Sequence, residues 1–296
     1  MSDSTTNTTS VSFHQIVSKE QPLQIAGTIN AYTALLAQQA GFSAIYLSGA
    51  GVANASFGIP DLGYTTLENV AEDVRRISNA SPLPLLVDAD TGWDDPQQTI
   101  STLIKAGASA THIEDQVTLK RCGHRPGKNL VSSHEMQDRI KTAISGRTDP
   151  DFSIMARTDA HAVEGFEASI KRSHDYVEAG ADMIFAEAFS TLEEYKTFTN
   201  EMSVPVLANI TEFGKTPLFT VGELKSAGIA MVLYPLSAFR AMNAAALNVY
   251  QTIRQQGTQK DVIDNMQTRK DLYQILDYER YENQIDEKLN KQRDKS

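Results

Sequence analysis

The one cysteine of the chain lies in a dense run of cations. It is Cys122, and its neighbours in the segment KRCGHR are Lys120, Arg121, His124 and Arg125. Nearby positive charge favours the thiolate, so a thiol in this setting gives up its proton easily. The same cations would attract an anionic substrate. The following Pro126 and Gly127 predict a loop, so we interpret the cysteine as reactive rather than as an inert buried thiol.

A second group of polar residues follows short apolar runs of the chain. Seven of eight such runs end on a side chain suited to binding or catalysis, which is more than helix capping alone explains. These residues are Ser48, Asp88, Asp90, Glu114, Asp115, Arg157, Asp159, Glu187, Asn209, Thr211 and Ser237.

The acidic members of this group suggest a metal site. In the stretch VDAD, Asp88 and Asp90 are expected on one face of an extended chain, because strand side chains alternate with a period of two. Carboxylate oxygens suit a hard cation, most plausibly Mg²⁺ with Mn²⁺ as a substitute. Asp61 and Glu114 could complete the acidic set, and His112 alternates with Glu114 in a supporting position. The alternative is a pair of helix-capping aspartates.

Three further features are compatible with anion binding or proton transfer. The stretch LSGAG (47–51) is either a backbone cradle for a carboxylate or a plain tight turn. Arg157 offers two parallel hydrogen bonds to a carboxylate, or it forms a structural ion pair with Glu187. Tyr46 is expected to face the same side as Ser48, and it is either a core aromatic residue or a catalytic base.

The elements that must position these residues alternate along the chain. Helical segments separate eight apolar runs, and several helices end in Ala-Gly, where glycine adopts the left-handed conformation that terminates a helix. Eight strands alternating with helices predict an α/β fold, a (β/α)8 TIM barrel, in preference to a doubly wound sheet. The runs are 24–29, 43–49, 84–90, 109–115, 152–158, 182–188, 204–210 and 230–236.

The remaining segments frame this barrel. Residues 1–12 are rich in Ser and Thr and predict a disordered tail, and residues 13–296 predict one domain. Two connections, 49–65 and 115–132, are long enough to be functional loops. After the eighth run, two further helical stretches are expected over 237–256 and 261–290.

Composition narrows the functional class. A formal net charge of −10 argues against general affinity for nucleic acid or anionic membranes. One cysteine excludes an internal disulfide and a zinc knuckle. No apolar run approaches the roughly 20 residues of a membrane span. The N-terminal residues lack the basic start and apolar stretch of a secretory signal. We therefore expect a soluble cytoplasmic enzyme with a small-molecule substrate.

Taken together, these motifs resemble those of the isocitrate lyase/phosphoenolpyruvate mutase superfamily. The resemblance runs from about Phe13 to about Tyr281, and its most specific part is the cysteine motif of the lyase branches. It is carried by VDADTG, HIEDQ, KRCGHRPGK, MARTDA, ANITEFGKTPLFT, YPLSAFRAMN and MQTR.

The resemblance implies a role for each matching position. Mg²⁺ would be held directly by Asp90, with Asp61, Asp88 and Glu114 acting mainly through water. The keto-acid half of the substrate would contact Ser48, Gly49, Ala50 and Arg157. The succinate half would contact Gly123, His124, Glu187, Asn209, Ile210 and Thr211, with Arg240 and Arg269 also at the site. Cys122 would be the general acid; Tyr46 is our choice of base, and His124 accompanies the thiol.

The implied reaction is cleavage of a hydroxy tricarboxylate by retro-aldol-type chemistry. The resemblance favours the branch that cleaves 2-methylisocitrate into pyruvate and succinate, a step of propionate catabolism in the methylcitrate cycle. The alternative is cleavage of isocitrate into glyoxylate and succinate. The family also implies a homotetramer in which the last barrel helix is exchanged between subunits.

Overall fold

Eight parallel strands close into a barrel in which each strand pairs with its neighbours in sequence and β1 pairs with β8. The computed structural model describes residues 12–118 and 127–293. The predicted (β/α)8 barrel is confirmed, and closure of the sheet excludes the doubly wound alternative. The strands are β1 (Leu23–Gly27), β2 (Ala44–Leu47), β3 (Leu85–Asp88), β4 (Ala110–Glu114), β5 (Ser153–Thr158), β6 (Met183–Ala186), β7 (Val206–Asn209) and β8 (Met231–Tyr234).

Helices connect the strands and continue after β8. A π-helical turn (Val52–Ser56) and two 3-10 turns (Ala160–Ala162 and Lys260–Asn265) interrupt the regular pattern. The α-helices are α1 (Phe13–Lys19), α2 (Ala31–Gln39), α3 (Gly49–Gly51), α4 (Leu67–Ala80), α5 (Pro96–Ala106), α6 (Ser133–Ser145), α7 (Phe166–Glu178), α8 (Leu192–Glu201), α9 (Val221–Ser226), α10 (Ser237–Gln256), α11 (Arg269–Ile275) and α12 (Tyr278–Arg293).

The glycines of the Ala-Gly motif adopt the left-handed conformation that the sequence predicts. Gly107 follows α5 with φ 102°, and Gly180 lies after α7 with φ 106°. A side chain at either position would be strained, since only glycine adopts this conformation without cost. The phrase therefore ends the helix sharply and returns the chain to the next strand.

The barrel has two hydrophobic layers because its strands are buried on both faces. One layer fills the space between the strands and the surrounding helices. The other fills the barrel interior, where Phe13 and Val17 of α1 join alternating strand residues. The interior strand residues are Leu23, Ile25, Ala44, Tyr46, Leu86, Ala110, Met155, Met183, Phe185, Leu207, Met231 and Leu233. This packed interior supports the polar side chains at the C-terminal ends of the strands.

The chain divides into two compact units, one up to Phe239 and one from Arg240 onward. The expected single domain over residues 13–296 stays a prediction. The expected helix over 237–256 is confirmed as α10. The second expected helical stretch, over 261–290, is confirmed and consists of three elements: a 3-10 turn, α11 and α12. Thr268 caps α11, and Asp277 takes a left-handed conformation with φ 53° before α12.

Two predicted features fall on parts of the chain that the structure does not describe. They are the N-terminal tail, apart from Ser12, and the cysteine segment between residues 119 and 126. Within the described ranges, no helix combines the length and the apolar character needed to cross a bilayer.

Candidate active site

Asp88 and Asp90 converge at the end of β3, but not by the strand alternation that the sequence suggested. The strand ends at Asp88, and Asp90 is left-handed with φ 48°. Strained backbone of this kind in a residue other than glycine is concentrated at functional sites. The backbone N–H of Asp90 donates to Asp88 Oδ1 at 3.1 Å, so the Asp88 carboxylate stabilises the turn. Both side chains are buried.

The segment that follows β2 approaches these two carboxylates at Gly49. Its N–H donates to Asp88 Oδ2 at 3.0 Å. A Cβ at Gly49 would lie 3.1 Å from Asp88 Oδ2 and 3.2 Å from Asp90 Oδ1. A side chain at this position would have to displace one of these carboxylates by a few tenths of an ångström, so glycine favours the close approach. LSGAG leads from β2 into the helical turn α3, and its Gly49 N–H already donates to Asp88, so the cradle for a substrate carboxylate stays a prediction. Ser48 is buried beside it.

The donor set at this point fits Mg²⁺. Asp88, Asp90 and Glu114 are buried and supply hard carboxylate oxygens only, while Asp61 is half-buried in the loop after β2. Among the described residues, no three His, Cys, Asp or Glu side chains converge closely enough to enclose a metal ion. Mg²⁺ needs no such enclosure, because it usually keeps several waters and uses one or two carboxylates together with its substrate. The capping interpretation fits less well, since α5 is capped by Asp95.

Arg157 lies among three carboxylates at the end of β5. Its Nη1 is 3.2 Å from Glu114 Oε2, and its Nε is 3.0 Å from Asp159 Oδ2 and 3.5 Å from Glu187 Oε2. Glu114 and Arg157 are register partners on neighbouring strands. The structural pair with Glu187 that we considered from the sequence is therefore present as one of three contacts.

The charge of Arg157 is secured by these neighbours. Burial alone would lower the pKa of the guanidinium, but the charges of Asp159, Glu114 and Glu187 outweigh burial and hold that pKa well above its ordinary value. The guanidinium also lies over the ring of Phe185, 5.2 Å from its centroid. Arg157 is thus a permanent, oriented cation at the strand ends.

Tyr46 is a core aromatic residue whose hydroxyl has a polar partner, and its role as a base stays a prediction. Its ring belongs to the barrel interior, and its hydroxyl lies 2.9 Å from His112 Nε2. The same His112 nitrogen is 3.6 Å from Asp88 Oδ1. Phe185 contacts the histidine ring edge-on at 5.0 Å between centroids. Tyr46, His112 and Asp88 therefore form one buried polar chain inside an apolar surround.

The ends of β6 and β7 supply a second polar group. Asn209 Nδ2 donates to Glu187 Oε2 at 3.4 Å, and both residues are buried, as is Thr211. Ile210 differs from its neighbours, since its side chain packs in the outer hydrophobic layer and its N–H donates to the Leu233 carbonyl. The side chain of Ile210 is therefore not part of the polar surface.

The structure adds a buried network that the sequence did not reveal. Asp115 accepts hydrogen bonds at 2.8 Å from the Asp159 N–H, the Thr158 hydroxyl and the Tyr176 hydroxyl. Burial and the charge of Asp159 raise the pKa of the Asp115 carboxyl. Lys128, the last residue of the cysteine motif, forms a 2.6 Å ion pair with Asp159. The motif itself was the only signal that Lys128 belongs here.

Three predicted site residues lie outside the described chain, and two belong to the second compact unit, so their place at the site stays a prediction. Cys122, Gly123 and His124 fall in the segment that the structure does not describe. Arg240 is an exposed residue of α10, and Arg269 is the first residue of α11. Ala50, in contrast, lies within α3, the turn that contains Gly49.

Comparisons with known proteins show the family to which the chain belongs. A family model described as phosphoenolpyruvate phosphomutase matches residues 13–254. The chain is 59% identical over 278 residues to 2-methylisocitrate lyase of Escherichia coli (strain K12), covering 93% of this chain and 94% of that one. Among solved structures, 2,3-dimethylmalate lyase aligns with a TM-score of 0.84 and 31% identity, covering 91% of each chain. Phosphonopyruvate hydrolase in complex with oxalate and Mg²⁺ aligns with a TM-score of 0.79 and 28% identity, covering 90% and 94%.

Proposed function

The chain belongs to the phosphoenolpyruvate phosphomutase family, and on that premise we propose that it cleaves 2-methylisocitrate into pyruvate and succinate. This reaction makes it a carbon–carbon lyase that releases an oxo acid, pyruvate. The observation that carries this function is the 59% identity to a 2-methylisocitrate lyase over 93% of the chain. By comparison, the solved structures of a phosphoenolpyruvate phosphomutase and a phosphonopyruvate hydrolase are 26% and 28% identical in sequence to this chain.

Arg157 is the proposed anchor of the keto-acid half of the substrate. It is a buried, permanent cation at the C-terminal end of a barrel strand, where this fold builds its sites. A guanidinium binds a carboxylate through two parallel hydrogen bonds, which orient as well as attract it. Ser48, Gly49 and Ala50 would border the same half. Glu187, Asn209 and Thr211, together with Gly123 and His124, would border the succinate half. Arg240 and Arg269 are the other two cations proposed to bind the substrate.

Mg²⁺ is the proposed cofactor, and Mn²⁺ is its proposed substitute. Asp90 would hold the ion directly, while Asp88, Asp61 and Glu114 would act on it mainly through water. When bound, the ion would lower the pKa of the substrate hydroxyl and stabilise the oxyanion that forms. The all-carboxylate donor set and the close approach of Gly49 to Asp88 and Asp90 support this assignment.

Tyr46 is the proposed base that takes the proton from the substrate hydroxyl. Its phenol lies 2.9 Å from His112 Nε2, which can take up the phenolic proton in the tautomer with that nitrogen free. A hydrogen-bonded pair at this distance satisfies the geometric requirement for a proton-transfer route. Once the carbon–carbon bond breaks, negative charge develops on the succinate carbon, and Cys122 is the proposed donor of its proton.

We expect the enzyme to prefer 2-methylisocitrate over isocitrate by roughly 10- to 200-fold in kcat/KM, the discrimination that one buried methyl provides. Phe185 and Leu233 are buried in the barrel interior, and Pro235 is buried just beyond β8, so these three residues could form an apolar niche for the methyl. Steady-state rates on both substrates, measured with one enzyme preparation, test this. Isocitrate turnover equal to or faster than that of 2-methylisocitrate would overturn the preference.

A homotetramer with an exchanged last barrel helix is the proposed assembly. Within the described chain no residue of α10 is buried, although the helix carries Met242, Leu247, Tyr250 and Ile253 as exposed apolar side chains. Exposed apolar surface of this extent on one helix marks an interaction site. A second copy of the chain is its proposed partner.

Light scattering at micromolar concentration should therefore give four times the subunit mass. Replacing Leu247 and Tyr250 together by serine should shift that mass towards the monomer, because it removes apolar contact area from the interface. Replacing the exposed Lys225 of α9 by serine is the control and should leave the mass unchanged. A monomeric wild-type protein would contradict the assembly.

The proposed location is the cytoplasm. A catalytic thiol at Cys122 must stay reduced, and cytosolic redox systems keep thiols in that state.

A further inference from the structure

A buried ion pair beside Arg157 has no part in the steps above. Lys128 Nζ lies 2.6 Å from Asp159 Oδ1, and the two side chains are 1% and 0% exposed. Removing two charges from water is costly, and the cost is recovered only where geometry and further hydrogen bonds are good. A pair buried this completely next to a substrate-facing cation calls for an explanation.

Asp159 contacts Arg157 as well as Lys128. Its Oδ2 accepts from Arg157 Nε at 3.0 Å, and its Oδ1 accepts from Arg157 Nη2 at 3.3 Å. Two nearly parallel hydrogen bonds to one carboxylate hold the plane of a guanidinium. The remaining terminal nitrogen, Nη1, is directed to Glu114 at 3.2 Å. The orientation of Arg157 is therefore set from the Asp159 side.

Asp159 is itself held in place by a rigid backbone. Its N–H donates to Asp115 Oδ1 at 2.8 Å, and the hydroxyl of the preceding Thr158 donates to Asp115 Oδ2 at 2.8 Å. Tyr176 of α7 donates to the same Asp115 oxygen. The carboxylate that orients Arg157 is thus tied to both β4 and α7, and its position does not depend on solvent.

Lys128 changes the balance of charge around Arg157. Asp159, Glu114 and Glu187 all contact Arg157, so one guanidinium faces three carboxylates. An ammonium at 2.6 Å from Asp159 neutralises one of them. Arg157 then keeps more of its attraction for an incoming carboxylate than it would if it alone balanced Asp159.

We propose that Asp159, neutralised by Lys128, is a positioning residue that orients Arg157 towards the carboxylate of the keto-acid half. The identity of that ligand half rests on the proposed function. The orientation itself rests on the contacts of Arg157, Asp159 and Lys128.

Binding of the two half-substrates to the full-length protein separates this role from a structural one. Oxalate, in the presence of Mg²⁺, is the probe for the keto-acid half, and succinate is the probe for the other half, both titrated by calorimetry. Asp159→Asn keeps the size of the side chain and removes its charge. Because this change alone leaves the Lys128 ammonium unpaired and adds positive charge beside Arg157, the test uses the double variant Lys128→Met with Asp159→Asn, in which the net charge is unchanged. The double variant should weaken oxalate binding about tenfold, the scale of one charge-assisted hydrogen bond, and change succinate binding less than twofold.

Two further variants complete the design. Asp182→Asn is the matched control, because Asp182 also pairs with an arginine (Arg147, 2.8 Å) but precedes β6, at the end of the barrel away from the site. It should leave both affinities within twofold. The single variant Asp159→Asn raises the net positive charge beside Arg157, so it should lose less oxalate affinity than the double variant.

Oxalate affinity within twofold of wild type in the folded double variant would overturn the proposal. So would an equal loss of oxalate and succinate affinity, which is the result expected of general damage to the fold. Failure of the wild-type protein to cleave 2-methylisocitrate would instead count against the proposed function, and the oxalate comparison would still report on Arg157.

Discussion

An Asp90→Ala variant is expected to lose at least about three orders of magnitude in kcat/KM. Asp90 is the proposed direct ligand of Mg²⁺, and a metal ion at a developing oxyanion contributes several kcal/mol of stabilisation, at about 1.4 kcal/mol per tenfold in rate. Its backbone is already constrained for this position, with φ 48° and an N–H that donates to Asp88. The measurement is steady-state cleavage of 2-methylisocitrate with and without added Mg²⁺.

Two companion variants distinguish loss of the ligand from loss of the fold. Alanine at φ 48° is strained, whereas asparagine tolerates the left-handed region and matches aspartate in size. Asp90→Asn should therefore fold as wild type does and still lose Mg²⁺ affinity and activity. Asp94→Ala, four residues along at an exposed position, should change neither. Full turnover after exhaustive chelation with EDTA would show that the metal assignment is wrong.

The second large effect is expected at the thiol. A Cys122→Ser variant should lower kcat by about 10²–10⁴, the usual contribution of general acid–base catalysis. A free cysteine titrates near pH ~8.5 and is mostly protonated at neutral pH, as a proton donor must be. The neighbouring cations Lys120, Arg121, His124 and Arg125 favour the thiolate left behind, which eases the transfer. Serine keeps the size but is a much weaker acid.

The same variant should still bind its ligands. Cys122 acts in the proposed protonation step and holds neither Mg²⁺ nor the keto-acid carboxylate, so the affinities for Mg²⁺ and oxalate should stay within about twofold of wild type. Single-turnover measurements with saturating substrate then isolate the chemical step. A serine variant that retains more than half of the wild-type kcat would show that the proton comes from elsewhere.

The fold followed from sequence because its signals are local. Each strand is a short apolar run, and each Ala-Gly phrase ends a helix through one left-handed glycine, as at Gly107. These features depend on a few consecutive residues and on no distant partner. The final helical stretch was predicted as well, but its division was not, because a cap at Thr268 and a left-handed Asp277 separate it into shorter helices.

The site was only partly predictable, because its contacts join residues far apart in the chain. Asp88 and Asp90 were identified correctly as a converging pair, but for the wrong reason, since Asp90 leaves the strand in a left-handed turn. The three carboxylates of Arg157 depend on the register between β4 and β5 and on the neighbouring strand β6. The pair of Lys128 and Asp159 likewise joins two loops that the sequence separates by 31 residues.

The most direct test of the account is to identify the products formed from 2-methylisocitrate. Purified protein with Mg²⁺ and 2-methylisocitrate should give pyruvate and succinate in equal amounts, followed together by proton NMR, with both signals rising at the rate at which the substrate disappears. Asp90→Asn under the same conditions should leave the substrate unchanged. Wild-type protein that leaves 2-methylisocitrate intact, or that forms pyruvate without an equal amount of succinate, would contradict the proposed carbon–carbon cleavage.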